Sequence, residues 1–195
     1  RSPFTPRALR LDGTSYTVPE MLPLQQSVYA YSNGMRFALT EWTVEAWLRL
    51  DSTNQSGTVL ARTTERNQTN FALVIESGVP KAYFTTESGL RAVVGGDMVL
   101  PSNEWVHLAM TWSPNDRSLG LLVQGLSYRA FANLYLPAGG RGATVLGSGL
   151  IGAMDEVRVW NQALSRDSLA SNRYSIVSHP QFNGALVANY RFDDG

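Results

Sequence analysis

Asp155 is the residue of this sequence whose type and position most directly suggest chemistry. Successive side chains of a strand point to opposite faces, so Asp155 falls on the same side as the apolar residues Ala153, Val157 and Val159. A carboxylate on an inward face must be paired, hydrogen-bonded or bound to a metal, because an isolated buried charge is very costly. Two interpretations stay open. One is a Ca²⁺ site, since Ca²⁺ prefers oxygen ligands, and the other is a buried carboxylate that caps backbone amides of the turn at residues 150–152.

Other residues that often carry chemistry give little support for catalysis or metal binding. His107 and His179 are too few and too far apart in the sequence to indicate a zinc site, and the position of His107 in a strand pattern indicates a framework role. The chain has no cysteine, which excludes disulfides, Cys-ligated zinc and thiol catalysis. Residues 147–152 match G-x-G-x-x-G, but a strand is predicted to come next instead of the helix that a phosphate-binding motif requires.

The elements that must position these residues are short β-strands. Apolar and polar residues alternate with a period of two along most of the chain, and helical periodicity is nearly absent. The clearest strand is at residues 42–50, whose even-numbered residues are all apolar. Further strands are predicted at residues 8–11, 58–63, 71–76, 82–86, 90–94, 105–112, 119–124, 126–133, 143–146, 154–160 and 185–192. One short helix is predicted at residues 165–172, with Ser165 as its N-cap.

Length and charge limit the classes of protein to which the chain can belong. At 195 residues it fits one all-β domain, and we expect residues 1–195 to form a single domain excised from a larger multidomain protein. Its 16 basic and 16 acidic residues give no net charge and form no basic run, so a nucleic-acid partner is not expected. No apolar stretch approaches the roughly 18 residues that span a bilayer, so membrane insertion is not expected either.

Four stretches, in this order, resemble the laminin-G-like and pentraxin-like domains of the concanavalin A-like lectin/glucanase superfamily. They are ALRLDG at residues 8–13, WTVEAWL at 42–48, NEWVHLAMTW at 103–112, and LIGAMDEVRVWNQALS at 150–165. The resemblance implies an all-β fold, a two-sheet antiparallel jelly-roll sandwich with one short helix near the C-terminal end.

The resemblance also implies a structural calcium site. In the resembling folds a calcium ion often lies where the aspartate of the closing strand meets the first strand, which here brings together Asp12, the backbone of Gly13, and Asp155. Two carboxylates are too few for a full shell, so carbonyl groups or water would supply the remaining ligands. The disulfide and the acidic double-calcium cluster of true pentraxins are missing, so recognition of phosphocholine is not implied.

The same resemblance places the strands of Glu45 and Arg158 side by side, with both side chains on the outward face. We therefore predict a cross-strand ion pair, extended by Arg49 and Glu156. Related sandwiches include glycoside hydrolases, whose chemistry needs two carboxylates that face one another. Asp155 and Glu156 are adjacent and are predicted to point to opposite faces, so no enzymatic activity is expected.

The expected function is that of a non-catalytic extracellular binding or adhesion module for a carbohydrate or protein ligand. The module would lie beside neighbouring domains in a secreted or cell-surface protein. Sugar rings stack on exposed aromatic faces, and the candidate ligand-binding residues are Tyr29, Tyr31 and Trp47. The Gln-, Tyr- and Ser-rich insertion at residues 21–36 is the first place to look, because long loops often carry binding.

Two alternatives to this function stay open: a structural spacer without a ligand, and an atypical glycoside hydrolase. The sequence also contains two N-glycosylation sequons on predicted loops, which begin at Asn54 and Asn67.

Overall fold

The computed structural model describes residues 7–18, 37, 39–131, 136–175 and 185–192. Within these residues the chain forms two stacked antiparallel β-sheets and one short helix, which confirms the predicted fold class. The strands of sheet A are β1 (Leu9–Asp12), β3 (Trp42–Leu50), β8 (Val106–Ser113), β9 (Ser118–Val123), β10 (Leu126–Phe131), β12 (Ile151–Trp160) and β13 (Leu186–Tyr190). The strands of sheet B are β2 (Tyr16–Val18), β4 (Gly57–Thr64), β5 (Thr69–Glu76), β6 (Val79–Thr85), β7 (Arg91–Gly95) and β11 (Gly142–Leu146).

The strand order depends on long-range pairing. Sheet A has the order β1-β12-β3-β8-β9-β10, with β13 also paired to β12, and sheet B has the order β2-β11-β4-β5-β6-β7. The short strand β2 was not predicted, because three residues are too few to show alternation. The other strands overlap their predicted ranges.

The core lies between the two sheets. The even-numbered residues of β3 all belong to it, as the alternation predicts. Two ring contacts join the sheets at one end of the sandwich: Trp42 lies 5.7 Å from Phe71, and Phe84 lies 4.7 Å from Trp112. Aromatic pairs at these separations add to the stability gained by burying their area.

The two ends of the sandwich differ in the turns and connections that they carry. The upper end carries the rings just described, the β4–β5 turn and the β6–β7 turn. The lower end carries the β3–β4 connection and the β5–β6 turn, which are joined where Gly78 N donates to Gln55 O at 2.8 Å and Ser77 N donates to Ser56 Oγ at 2.8 Å.

A β-bulge in β12 overturns the predicted direction of Asp155. The pairing of β12 with β3 shifts between Asp155 and Arg158, and Glu156 at the shift has a φ of 48°. Met154 and Val157 therefore both face the core, whereas Asp155 lies opposite Trp47 on the other face of sheet A. The prediction that Asp155 faces the core with Val157 and Val159 is wrong, because one extra residue in a strand reverses the parity of all residues on one side of it.

The helix α1 (Arg166–Asn172) begins as predicted. The Ser165 side chain accepts a hydrogen bond from Ser168 N at 3.1 Å, which confirms the N-cap. Leu169 packs against Ala109 and Leu122, so α1 covers the face of sheet A that points away from the core. In the described part of the chain, no helix is long and apolar enough to cross a membrane.

Candidate functional site

The face of sheet A under α1 contains a buried cluster of charged side chains. Glu45 and Arg158 are opposite each other in the β3–β12 register, with Oε1 of Glu45 3.6 Å from Nη1 of Arg158. The predicted ion pair is therefore confirmed, and Glu156 extends it at 2.7 Å from Arg158. Arg49 does not join, because its partner is Asp51 at 3.4 Å. Both side chains lie on the outward face of sheet A, as predicted, but they are only 1% exposed because α1 and the residues after it cover this face.

Glu45 is stabilised in its charged form by several donors. His107 donates from Nε2 to Glu45 Oε2 at 2.8 Å, and Trp160 donates from Nε1 to Oε1 at 3.0 Å. Burial raises the pKa of Glu45, but the hydrogen bond from His107 and the charges of His107 and Arg158 outweigh it and hold the pKa below its usual value. His107 is thus a framework residue, as the sequence indicated.

The same cluster anchors the chain that comes after α1. Arg158 donates to the carbonyl oxygens of Asn172 at 3.2 Å and Ser175 at 2.8 Å, and Trp47 donates from Nε1 to Arg173 O at 3.0 Å. Cations and N–H donors near a helix C-terminus satisfy carbonyl groups that the helix leaves unpaired. The cluster is closed over and structural, so it offers no groove to a ligand.

Among the three aromatic candidates for ligand binding, the one that the structure describes is buried. Trp47 is 2% exposed, and its ring packs against Tyr174 at 5.2 Å and His107 at 5.4 Å. Trp47 therefore lacks the exposed ring face that stacking on a sugar requires, because α1 and the residues after it cover that strand face. Tyr29 and Tyr31, with the insertion at residues 21–36, lie outside the described residues.

The predicted calcium ligands are not brought together. In the β1–β12 register Asp12 lies opposite Ile151, four residues from Asp155, which corresponds to about 13 Å along a strand. Ca²⁺–oxygen distances are only about 2.3–2.6 Å, so the two carboxylates cannot share one ion. The Gly13 carbonyl already accepts from Gly149 N at 3.0 Å. These residues do not fit a shared calcium site.

Each of the two aspartates instead has local hydrogen bonds. Asp12 Oδ1 accepts from Thr14 N at 3.0 Å and Thr14 Oγ1 at 2.6 Å, and these hydrogen bonds lower the pKa of Asp12. Asp155 Oδ1 accepts from the Glu156 amide at 2.8 Å, at the bulge. Asp155 therefore caps a backbone amide, as one of the two interpretations held, but this amide is that of Glu156 and not one at residues 150–152. Among the described residues, no group of three or more His, Cys, Asp or Glu is arranged to hold a metal ion.

A polar cleft of about 300 Å³ opens at the upper end of the sandwich. Its walls are the β4–β5 turn, the β6–β7 turn and the loop that precedes β11. Four exposed charged side chains line it: Glu65, Arg66, Glu87 and Arg141. Within the described part of the chain, none of the four side chains makes a hydrogen bond or an ion pair, so their polar groups are available to a ligand.

The first wall of the upper-end cleft is a tight turn. Thr64 N donates to Gln68 O at 2.7 Å, and Asn67 N donates to Thr64 O at 2.9 Å. Asn67 takes a φ of 59°, a left-handed conformation that Asn tolerates better than most residues. Glu65 N donates to Arg141 O at 2.9 Å, which ties this turn to the loop across the cleft.

That loop is held from beneath by two fully buried polar side chains. Arg62 donates from Nη2 to Gly140 O at 2.6 Å, and Asn70 donates from Nδ2 to Ala138 O at 2.7 Å. Buried polar groups need such partners, so this arrangement favours one loop position. The cleft was not predicted from the polar residues 63–69 and the run Gly139-Gly140-Arg141-Gly142, because nothing local in the sequence shows that these two segments meet.

A model of the family described as the concanavalin A-like lectin/glucanases superfamily matches residues 25–170. No curated protein sequence matches the chain. A putative carbohydrate-binding protein from Bacteroides ovatus is similar in structure, with a TM-score of 0.62 and 20% identity over 80% of this chain and 46% of that one.

Two further solved structures share the fold. The CBM40 of the Ruminococcus gnavus IT-sialidase, bound to α2,3-sialyllactose, has a TM-score of 0.57 and 14% identity over 68% of this chain and 82% of its own. A heptameric SAP-like pentraxin from Limulus polyphemus has a TM-score of 0.53 and 14% identity over 68% of this chain and 69% of its own.

Proposed function

Because this chain belongs to the concanavalin A-like lectin/glucanases superfamily, we propose that it is a non-catalytic carbohydrate-binding module. Two of the similar structures support this proposal. The protein from Bacteroides ovatus is a putative carbohydrate-binding protein, and the CBM40 from Ruminococcus gnavus is bound to α2,3-sialyllactose. We also propose that the module acts outside the cell, in a secreted or surface protein, where it would meet polysaccharides and glycans. A protein ligand stays an alternative.

The observation that carries the proposal is the upper-end cleft with its four available charged side chains. A sugar hydroxyl donates one hydrogen bond and accepts others, so it can bridge a carboxylate and a guanidinium group. Hydrogen bonds to charged groups are the stronger kind. The volume of about 300 Å³ is at the lower limit for ligand pockets, which suits a terminal sugar unit better than the middle of a chain.

The carboxylates of the cleft support binding and not hydrolysis. A glycosidase needs a general acid whose pKa is raised, commonly by burial. Glu65 and Glu87 are both exposed. The bulge puts Asp155 and Glu156 on the same face of sheet A, and not on opposite faces as predicted. Both are buried and engaged, since Asp155 accepts from the Glu156 amide and Glu156 pairs with Arg158.

The proposal is tested with a glycan array and with titration calorimetry of the glycans that bind. We expect Arg66→Ala and Arg141→Ala to weaken binding at least about tenfold, since each removes a charged hydrogen-bond donor. Glu104→Ala is the matched control, because Glu104 is exposed at the lower end. Equal binding by all three variants would move the site elsewhere, and no binding to any glycan would favour a spacer. New reducing ends from polysaccharides would show an enzyme instead.

A further inference from the structure

The four charged side chains of the upper-end cleft have formal charges that cancel. Glu65 and Glu87 contribute two negative charges, and Arg66 and Arg141 contribute two positive ones. Some opposite charges elsewhere on the surface are paired with each other, as Arg49 is with Asp51 at 3.4 Å. The cleft, by contrast, holds balanced charges that are left available to a ligand.

We infer that the cleft selects electrically neutral sugar units over anionic and cationic ones. This inference rests on the proposed function and adds the class of ligand. A neutral sugar supplies hydroxyl groups that satisfy both carboxylates and both guanidinium groups without adding a charge. A charged sugar must lose hydration on entering, and the balanced cleft gives it no net attraction in return.

The position of the charges strengthens this selectivity. Glu65 and Arg66 are consecutive in the β4–β5 turn, and Arg141 is tied to Glu65 through the 2.9 Å backbone hydrogen bond. We therefore expect the Glu65 carboxylate to repel a sugar carboxylate that pairs with Arg66 or Arg141. A like charge at about 4 Å weakens binding roughly fivefold even at the dielectric constant of water.

The inference predicts that salt has almost no effect on binding. Attraction between a charged ligand and a charged site weakens as salt rises, because ions screen it. Binding of a neutral sugar to a balanced cleft should change less than about twofold when NaCl is raised from about 50 to about 500 mM. The salt dependence of binding therefore shows whether the ligand is charged, independently of how tightly it binds.

The experiment uses the whole chain and an array that holds neutral hexose, hexuronate, sialylated and hexosamine glycans on matched linkers. We expect the strongest signals from neutral glycans, with their charged counterparts at least about fivefold weaker. Calorimetry of the best neutral glycan at the two salt concentrations completes the test. Stronger binding of a charged glycan, or an affinity that falls about tenfold with salt, would overturn the inference while leaving the proposed function intact.

Charge-neutralising variants give the matched controls. Glu65→Gln leaves the cleft with a net positive charge and should raise the relative signal of hexuronates, whereas Arg141→Gln should raise that of hexosamines. Opposite shifts from the two variants support the inference. Identical changes from both would contradict it, and absence of binding to every glycan would overturn both the inference and the proposed function.

Discussion

His107 donates a hydrogen bond of 2.8 Å to Glu45, and the two side chains are only 4% and 1% exposed. The same carboxylate accepts from Trp160 and faces Arg158, so Glu45 links strands β3, β8 and β12. This arrangement explains how the outer face of sheet A accommodates charged groups beneath a helix, since each buried charge has a partner. It also makes the stability of the domain depend on one acidic side chain.

Replacing Glu45 should destabilise the fold strongly. We expect Glu45→Gln to lower the free energy of unfolding by about 1.5–3 kcal/mol, because the amide carries no charge to face Arg158 and cannot accept from both His107 and Trp160, although Arg158 keeps Glu156 as a partner. Urea denaturation measures this loss. The control is Glu76→Gln, which removes the partner of Lys81 at the surface and should cost less than about 1 kcal/mol. Similar losses from the two variants would mean that the buried cluster does not stabilise the fold.

Acidification should remove the contribution of Glu45. Its pKa is held below the usual value of 4.5 in the folded chain, so the stability it adds is fully present above that value. The contribution is lost as pH falls through the lower, folded pKa. The difference in unfolding free energy between the wild type and Glu45→Gln should therefore shrink between about pH 7 and about pH 3. A difference that stays constant or grows would show that Glu45 is not ionised in the folded chain.

Calcium should not act through Asp12 and Asp155. Binding at about 100 times the dissociation constant would add about 2.7 kcal/mol, which a thermal melt with Ca²⁺ or with chelator detects readily. Because the two residues are four positions apart along the β1–β12 register, we expect Asp12→Asn to leave any calcium response unchanged. A calcium-dependent rise in melting temperature that this substitution abolishes would restore the predicted site. That the domain binds a structural calcium ion stays a prediction, which the thermal melt tests.

Gly139→Ala offers a test of the cleft that should leave the fold intact. A Cβ added at Gly139 meets no atom within 4 Å, and the residue does not need a positive φ. We expect unchanged thermal stability and at least about fivefold weaker glycan binding, because the methyl group would occupy ligand space in a small pocket. Unchanged affinity measured by calorimetry would argue that the ligand does not lie against this loop.

The two sequons provide a natural comparison between the ends of the sandwich. Asn67 lies in the turn that forms one wall of the cleft, whereas Asn54 lies in the β3–β4 connection at the lower end. In a host that attaches N-glycans, we expect Asn67→Gly to restore binding that the attached glycan blocks. Glycine suits the positive φ of that position. Asn54→Gln should have no such effect once mass spectrometry has established occupancy, and an equal gain from both variants would contradict the placement of the site.

Much of the fold could be predicted because strand formation is encoded locally. Side chains of a strand alternate between faces, so the apolar residues of β3 identified the core side without any knowledge of the partner strands. The N-cap at Ser165 was predictable for the same reason, since it depends on residues three apart. Similarity to a known fold then supplied the two-sheet arrangement.

Tertiary structure alone decided where the polar side chains ended up. The bulge at Glu156 arises from pairing with β3, and it moved Asp155 to the face opposite the one that alternation predicts. Trp47 became buried because Arg173 and Tyr174, which follow α1, dock on it from more than a hundred residues away in the sequence. The cleft exists because loops far apart in the chain meet at one end of the sandwich, and such long-range contacts depend on packing that no local pattern records.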